Sequence, residues 1–362
     1  MGDKTGIEWT DATWNVVIGC DKVSPGCDHC YAIRTAHRMQ AHPNPKVVEP
    51  YAGTESSGEW TGRVNLVADR LALPLQWKQP RRIFVNAQSD LFHDQVPDQY
   101  IARVFAIMAV AQHHTFQILT KRHARMRSLL SSADGSFIYN ALLSMLADQT
   151  LRVPAKGPLT VQVQEALNRN AFGQGWPLPN VWLGVSAEDQ KRADLRIPAL
   201  LDTPAAVRWI SAEPLLGPVN LHTDPIKAGT PFWGSQLDWV VVGGESGSGA
   251  RPMHPWWAES LHRQCVAAGV PFLFKQWGDW TPMAPLKNGR FDFSNGIATT
   301  DDGNTYNAGD LDWPDGPRRG EAIRADFPHH HPTSMYRVGK KAAGRELYHD
   351  GRTFDGYPQV LA

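Results

Sequence analysis

Six short apolar runs, each followed at once by polar or glycine-rich residues, constrain the fold of this chain more than any other feature. They occupy residues 14–19, 82–86, 115–119, 181–185, 207–211 and 239–243. Each is brief, mostly apolar and free of clean alternation, the pattern of strands buried on both faces of a parallel sheet. A seventh run at 270–275 extends the series. Helical patterns lie between them. After Pro97-Asp98, the residues Ile101, Val104, Phe105 and Met108 fall on one face, and 257–268 reads as a helix stopped by Gly269 and Pro271. Such alternation predicts an α/β fold, either an open doubly wound sheet or a full or partial barrel. In both designs chemistry gathers at the carboxyl ends of the strands.

The strand tails meet that expectation. Cys20 to Cys30 follow the first run, Gln88-Ser89-Asp90 the second, Thr120-Lys121-Arg122 the third and Ser186-Ala187-Glu188-Asp189 the fourth. Glu213 follows the fifth, and Gly244-Glu245-Ser246-Gly247-Ser248-Gly249 the sixth. Residues 128–179 are too long for an ordinary connection and read as an inserted lid or helical subdomain. Beyond Trp280 the chain turns rich in Gly, Asp, Asn and Pro and reads as an irregular appendage. No repeat of fixed period is present.

With 42% hydrophobic and 20% charged residues in 362, the chain has the composition of a globular protein with a full-sized core. No run approaches the ~20 apolar residues that span a bilayer. Its start, Met1 to Trp9, lacks the apolar stretch of a secretory signal, so the expectation is a cytoplasmic protein with no membrane partner. Lysine plus arginine equal aspartate plus glutamate, 36 each, so no global basic field advertises a nucleic acid, although a local groove remains compatible with that total. Of four cysteines, three lie within eleven residues. A secreted disulfide scaffold would spread them, whereas clustering points to metal or redox chemistry.

Cys20, Cys27 and Cys30 are the candidate ligands. The Cys27–Cys30 spacing lets two sulfurs of one tight turn face a single metal centre, and Ser24-Pro25-Gly26 is turn chemistry that brings Cys20 back towards them. The stretch from Tyr31 to Ala41 reads as a short helix with its amino end towards the cluster. Structural zinc wants four closed ligands, but a cubane held by three cysteines leaves one iron open. Cys265, on a helix, reads as a small buried hydrophobe.

Several segments together resemble the radical S-adenosylmethionine superfamily, and more closely its phage-type three-Cys-motif family of uncharacterised proteins. They are Ile7-Glu8-Trp9-Thr10 with Thr13-Trp14-Asn15, the stretch from Cys20 to Tyr31, the stretch from Asn86 to His93, and Leu119-Thr120-Lys121-Arg122. The stretches 240–246 and 274–278 belong to the same pattern, and 339–352 fits it. One departure stands out: the usual spacing has three residues between the first two cysteines, and this chain has six, Asp21 to Gly26.

The resemblance implies a partial (β/α) barrel of about six parallel strands over residues 1–280, with the insertion at 128–179 and the appendage at 281–362. It implies a [4Fe-4S] cluster and S-adenosylmethionine, which chelates the open iron and is reductively cleaved to a 5′-deoxyadenosyl radical for hydrogen abstraction. An electron donor of flavodoxin or ferredoxin type and a partner protein follow as expected partners. Ser89 and Asp90 are then candidate acceptors for the cofactor's amino group. Lys121 or Arg122 suits its carboxylate, Ser186 and Glu188 its ribose, and Glu213 and Glu245 cofactor or substrate. His29 is the residue to stack on adenine, and Gly243 and Gly244 mark backbone closely approaching the cofactor. The glycine-rich turn lacks the Gly-Lys-Ser/Thr ending of a triphosphate loop.

A basic strip, Lys121 to Arg127, and tryptophans at 256–257 and 277–280 suit a nucleobase, nucleotide or nucleic-acid substrate, with repair or modification as the activity. The alternative from a different class is a non-catalytic zinc- or cluster-stabilised nucleic-acid-binding protein, with His29 or a distant histidine as fourth ligand. A barrel that has lost radical chemistry and serves as an interaction partner is the third. His329-His330-His331 and the acidic residues of 301–315 read as surface loops.

Overall fold

The computed structural model describes residues 5–222, 233–294, 296–306 and 332–359. Seven strands form one sheet: β1 (Ala12–Trp14), β2 (Arg82–Val85), β3 (Thr115–Thr120), β4 (Val181–Ser186), β5 (Val207–Ala212), β6 (Trp239–Gly243) and β7 (Phe272–Gln276). Their hydrogen-bonded order is the chain order. The registered pairs β1–β2, β2–β3, β3–β4, β5–β6 and β6–β7 are all parallel. A doubly wound sheet reverses its order at a switch point, whereas this one steps in one direction throughout, which is the winding of a barrel. The fold is a partial β/α barrel. Its helices are α1 (Tyr31–Gln40), α2 (Asp98–Val110), α3 (His123–Ser131), α4 (Gly135–Ala147), α5 (Pro158–Asn170), α6 (Gln190–Leu201) and α7 (Pro255–Ala268).

The run at 270–275 supplies the seventh strand, and β1 begins two residues before the expected run and stops at Trp14. Its early stop has a local cause. Asn86, in the left-handed region at φ 60°, donates its amide to the Trp14 carbonyl at 2.9 Å. Its Oδ1 accepts from the amides of Val16 and Val17 at 3.0 and 3.1 Å. Asparagine tolerates this conformation because its short side chain bonds locally. The chain therefore leaves the sheet, and Val17–Ile18 pairs antiparallel with Asn65–Leu66 before the cysteines begin.

Two compact units divide the described chain. Residues 5–24, 30–185 and 198–208 form the first; residues 25–29, 186–197 and the described residues from 209 onward form the second. In the first, α2 buries nearly every side chain, as a helix does when it is covered on both sides. The inserted segment is helical: α4 and α5 pack on α2, and Phe105 of α2 meets Phe137 and Trp176 at ring separations of 6.1 and 5.5 Å. Gly135 opens α4 hard against the Gln174 carbonyl, where any Cβ would collide.

In the second unit, α7 starts with Pro255 at its first turn and ends at Gly269 in the left-handed conformation. Cys265 on α7 is buried, which pushes its thiol up to about 12, as expected of a packing residue. The residues after Trp280 are more regular than composition suggested. Trp280–Thr281, Thr333–Arg337, Gly296–Thr299 and Thr305–Tyr306 form an antiparallel sheet in that order. The tail then returns along β7: Phe274 N–H donates to the Phe354 carbonyl at 2.9 Å, and Gly356 N–H to the Phe272 carbonyl at 3.0 Å. The three consecutive histidines and the acidic residues from 310 lie outside the described residues. Among the described residues no helix is long and apolar enough to cross a membrane.

Candidate functional site

In the first unit, the approach to Cys20 is fixed by backbone chemistry. Ser89 Oγ donates to the Val17 carbonyl at 2.7 Å, and Gly19 forms a parallel bridge with Ser89. Gly19 sits at φ +98° against the Arg63 carbonyl, so only glycine fits there. Cys20 is half-buried, and Arg122 Nη1 lies 3.5 Å from its sulfur. The same guanidinium ion-pairs with Asp21 and with Asp90 at 3.4 Å. Asp90 is buried and accepts from Thr120 Oγ1 at 2.7 and 2.8 Å, from Lys121 N at 3.0 Å and from Phe92 N at 3.0 Å. Burial pushes its carboxyl pKa up, against the pull of those hydrogen bonds. His93 Nε2 stands 3.4 Å from Asp21 Oδ1, with its pKa lowered by burial and raised in part by Asp90 and Asp94.

In the second unit, Pro25–Cys27 forms a 3-10 turn, closed by Asp28 N–H on the Pro25 carbonyl at 3.2 Å. Gly26 packs on the carboxylate of Glu188, where an added Cβ would come within 3.2 Å. Glu188 is fully buried and paired with Arg196 at 2.7 Å; Arg196 also donates to the Ser186 carbonyl at 2.9 Å. Arg251 lies against Glu245, whose Oε1 is 2.7 Å from Nη2 and whose Oε2 takes Nε and the backbone amide, both at 2.9 Å. His29 seats its ring on Gly249, where a Cβ would stand 2.8 Å from Nε2, and its Nδ1 is 3.5 Å from Glu245.

The carboxylates expected at the strand ends are thus each matched by a cation. Glu213 pairs with Lys275 at 3.0 Å, Glu188 with Arg196 and Glu245 with Arg251. Removing one partner from a pair as buried as Glu188–Arg196 leaves an uncompensated charge and costs about 3–5 kcal/mol. The close approach at Gly243 and Gly244 is made by the chain itself. A Cβ on Gly243 would lie 2.5 Å from Glu213 Oε1, and one on Gly244 would strike the Trp277 carbonyl. Asp90 and Arg122 are likewise engaged with each other.

The aromatic and basic residues that suggested a nucleobase are mostly used inside the fold. Trp257, Trp277 and Trp280 are buried, and their indole N–H groups donate to the carbonyls of Asp301, Glu346 and Ala250. Trp256 alone of that set is exposed, at 42%. In the strip from Lys121 to Arg127, Arg125 bonds the Val96 carbonyl and Asp98, and Arg127 pairs with Asp202 at 3.3 Å. Sequence reasoning missed Arg251, Arg196, Lys275 and His93. Arg196 and Arg251 follow their carboxylates by eight and six residues, a local signal available in the sequence; Lys275 and Glu213 have none.

Among the described residues, no three His, Cys, Asp or Glu side chains form a group able to hold a metal ion. The donor chemistry suits iron: three half-buried thiols on one loop, a guanidinium at the first, and the amino end of α1 directly after Cys30, which is its N-cap.

A partial β/α barrel with a thiol-bearing loop at its first strand end defines the class. The chain belongs to the family described as "Protein of unknown function (DUF5131)", whose model matches residues 4–358. No curated protein and no solved structure matches it significantly.

Proposed function

We propose that the chain is a radical S-adenosylmethionine enzyme of the cytoplasm in which Cys20, Cys27 and Cys30 hold a [4Fe-4S] cluster. The observation that carries this reading is the loop itself: three half-buried cysteines within eleven residues, with Arg122 beside the first. Three thiolates leave one iron for S-adenosylmethionine, whose reductive cleavage supplies a carbon radical for hydrogen abstraction. The chain's own residues bind and orient. Lys121 or Arg122 is the cation we assign to the methionyl carboxylate, and Arg122 also faces Asp21 and Asp90. Asp90 holds Arg122, and Ser89 fixes the backbone that delivers Cys20. Of the candidate substrates we favour a nucleobase or nucleotide over a polymer, because the strip from Lys121 to Arg127 bonds largely within the fold. An electron donor of flavodoxin or ferredoxin type completes the reading.

The test is anaerobic reconstitution, with iron and sulfide quantified and electron paramagnetic resonance recorded with and without S-adenosylmethionine. The expected result is a reduced [4Fe-4S] signal that changes on adding the cofactor and is absent in Cys27→Ala. Stoichiometric zinc in a colourless protein would overturn it in favour of a metal-stabilised binding module.

A further inference from the structure

Six residues separate Cys20 from Cys27, and a longer loop has more conformations to lose when its ends are fixed. Arg251 answers that problem within the second unit. One edge of its guanidinium grips Glu245, which is 6% exposed at the end of β6. The other edge reaches the loop: Nη2 donates to the Pro25 carbonyl at 2.8 Å and Nη1 to Asp28 Oδ2 at 3.1 Å. Pro25 and Asp28 bracket Cys27. A planar fork of fixed donors serves two edges at once, which a lysine ammonium does not. The turn that returns Arg251 to Glu245 uses Gly247 and Gly249 at φ +103° and +76°, and Gly249 also seats His29.

We infer that Arg251 is a positioning residue for the metal-binding loop, holding the Pro25–Asp28 turn on the end of β6 so that Cys27 is ordered before any cluster binds. The inference rests on the cluster reading for its purpose, but its first readout is made on the protein without iron. Hydrogen exchange of the Asp28 amide is compared in the wild type, Arg251→Met and Arg251→Lys. Reconstituted samples are then challenged with an iron chelator.

Arg251→Met should exchange that amide about tenfold faster and release iron about tenfold faster, the scale of losing charge-assisted hydrogen bonds. Arg251→Lys should fall between. Asp28→Asn weakens the same contact from the loop side and serves if the arginine variants fail to fold. Unchanged exchange and unchanged iron retention in the variants would overturn the inference. A wild type that takes up no iron, with the exchange difference intact, would sink the cluster reading and leave the clamp standing.

Discussion

His114 lies 1% exposed beside Trp77, Phe116 and His113. Its Nε2 stands 3.0 Å from the Pro74 carbonyl, an acceptor, so that nitrogen carries the proton. Its Nδ1 is buried without a hydrogen-bond partner among the described residues. Burial, helped by His113 and opposed by the Pro74 carbonyl, takes the pKa down to about 4. The unfolded chain protonates this group near 6.5, so between that pH and 4 the unfolded state binds more protons. Stability from the neutral ring is therefore present above 6.5 and lost as pH falls towards 4. The full window is worth about 3 kcal/mol, a sizeable share of a typical folding free energy. His114→Gln keeps a donor for Pro74 without titrating there. Urea midpoints measured from pH 7 to 4 should fall more steeply for the wild type than for the variant; parallel curves would mean that other groups carry the acid sensitivity.

The C-terminal tail is the element that sequence hid most completely. It bonds β7 through Phe274 and Gly356 backbone amides, accepts the Trp239 indole on the Gly356 carbonyl at 2.7 Å and anchors Arg345 on the Lys275 carbonyl at 2.9 Å. A chain ending at Gly344 should expose that strand edge, melt at lower temperature and form higher oligomers on size exclusion, as unprotected edges do. An unchanged melting point would show that the edge needs no cover. Six of the seven strands were legible because burial on both faces demands unbroken apolar runs, whereas β1 shares only Trp14 with the run expected there. The tail was not, because pairing through backbone at two or three positions asks nothing of side chains in a Gly- and Asp-rich stretch. The same distinction holds at the site. Cysteine spacing is written in one loop, and the polar strand tails did mark Asp90, Glu188, Glu213 and Glu245. Contacts made across the sheet were not readable: Lys275 on β7 is brought to Glu213 past β6, and Asn86 ends β1 from 70 residues away.

At the scale of the whole molecule, 36 cations balance 36 anions, and many of the arginines near the strand ends already face carboxylates, among them Arg122, Arg196 and Arg251. A protein that grips a nucleic-acid backbone releases about 0.9 counterions per phosphate neutralised, which appears as the slope of log affinity against log salt. With those strand-end arginines already facing carboxylates, the strand ends should engage few phosphates. Fluorescence anisotropy with a labelled single-stranded oligonucleotide should give a slope no steeper than about −2, and weak binding even at low salt. A slope several times steeper would reveal a basic groove and return a polymer to the head of the substrate candidates. A shallow slope combined with saturable binding of a free nucleotide is the outcome that the ion-pairing pattern favours, because recognition would then rest on stacking and a few hydrogen bonds rather than on a field of positive charge.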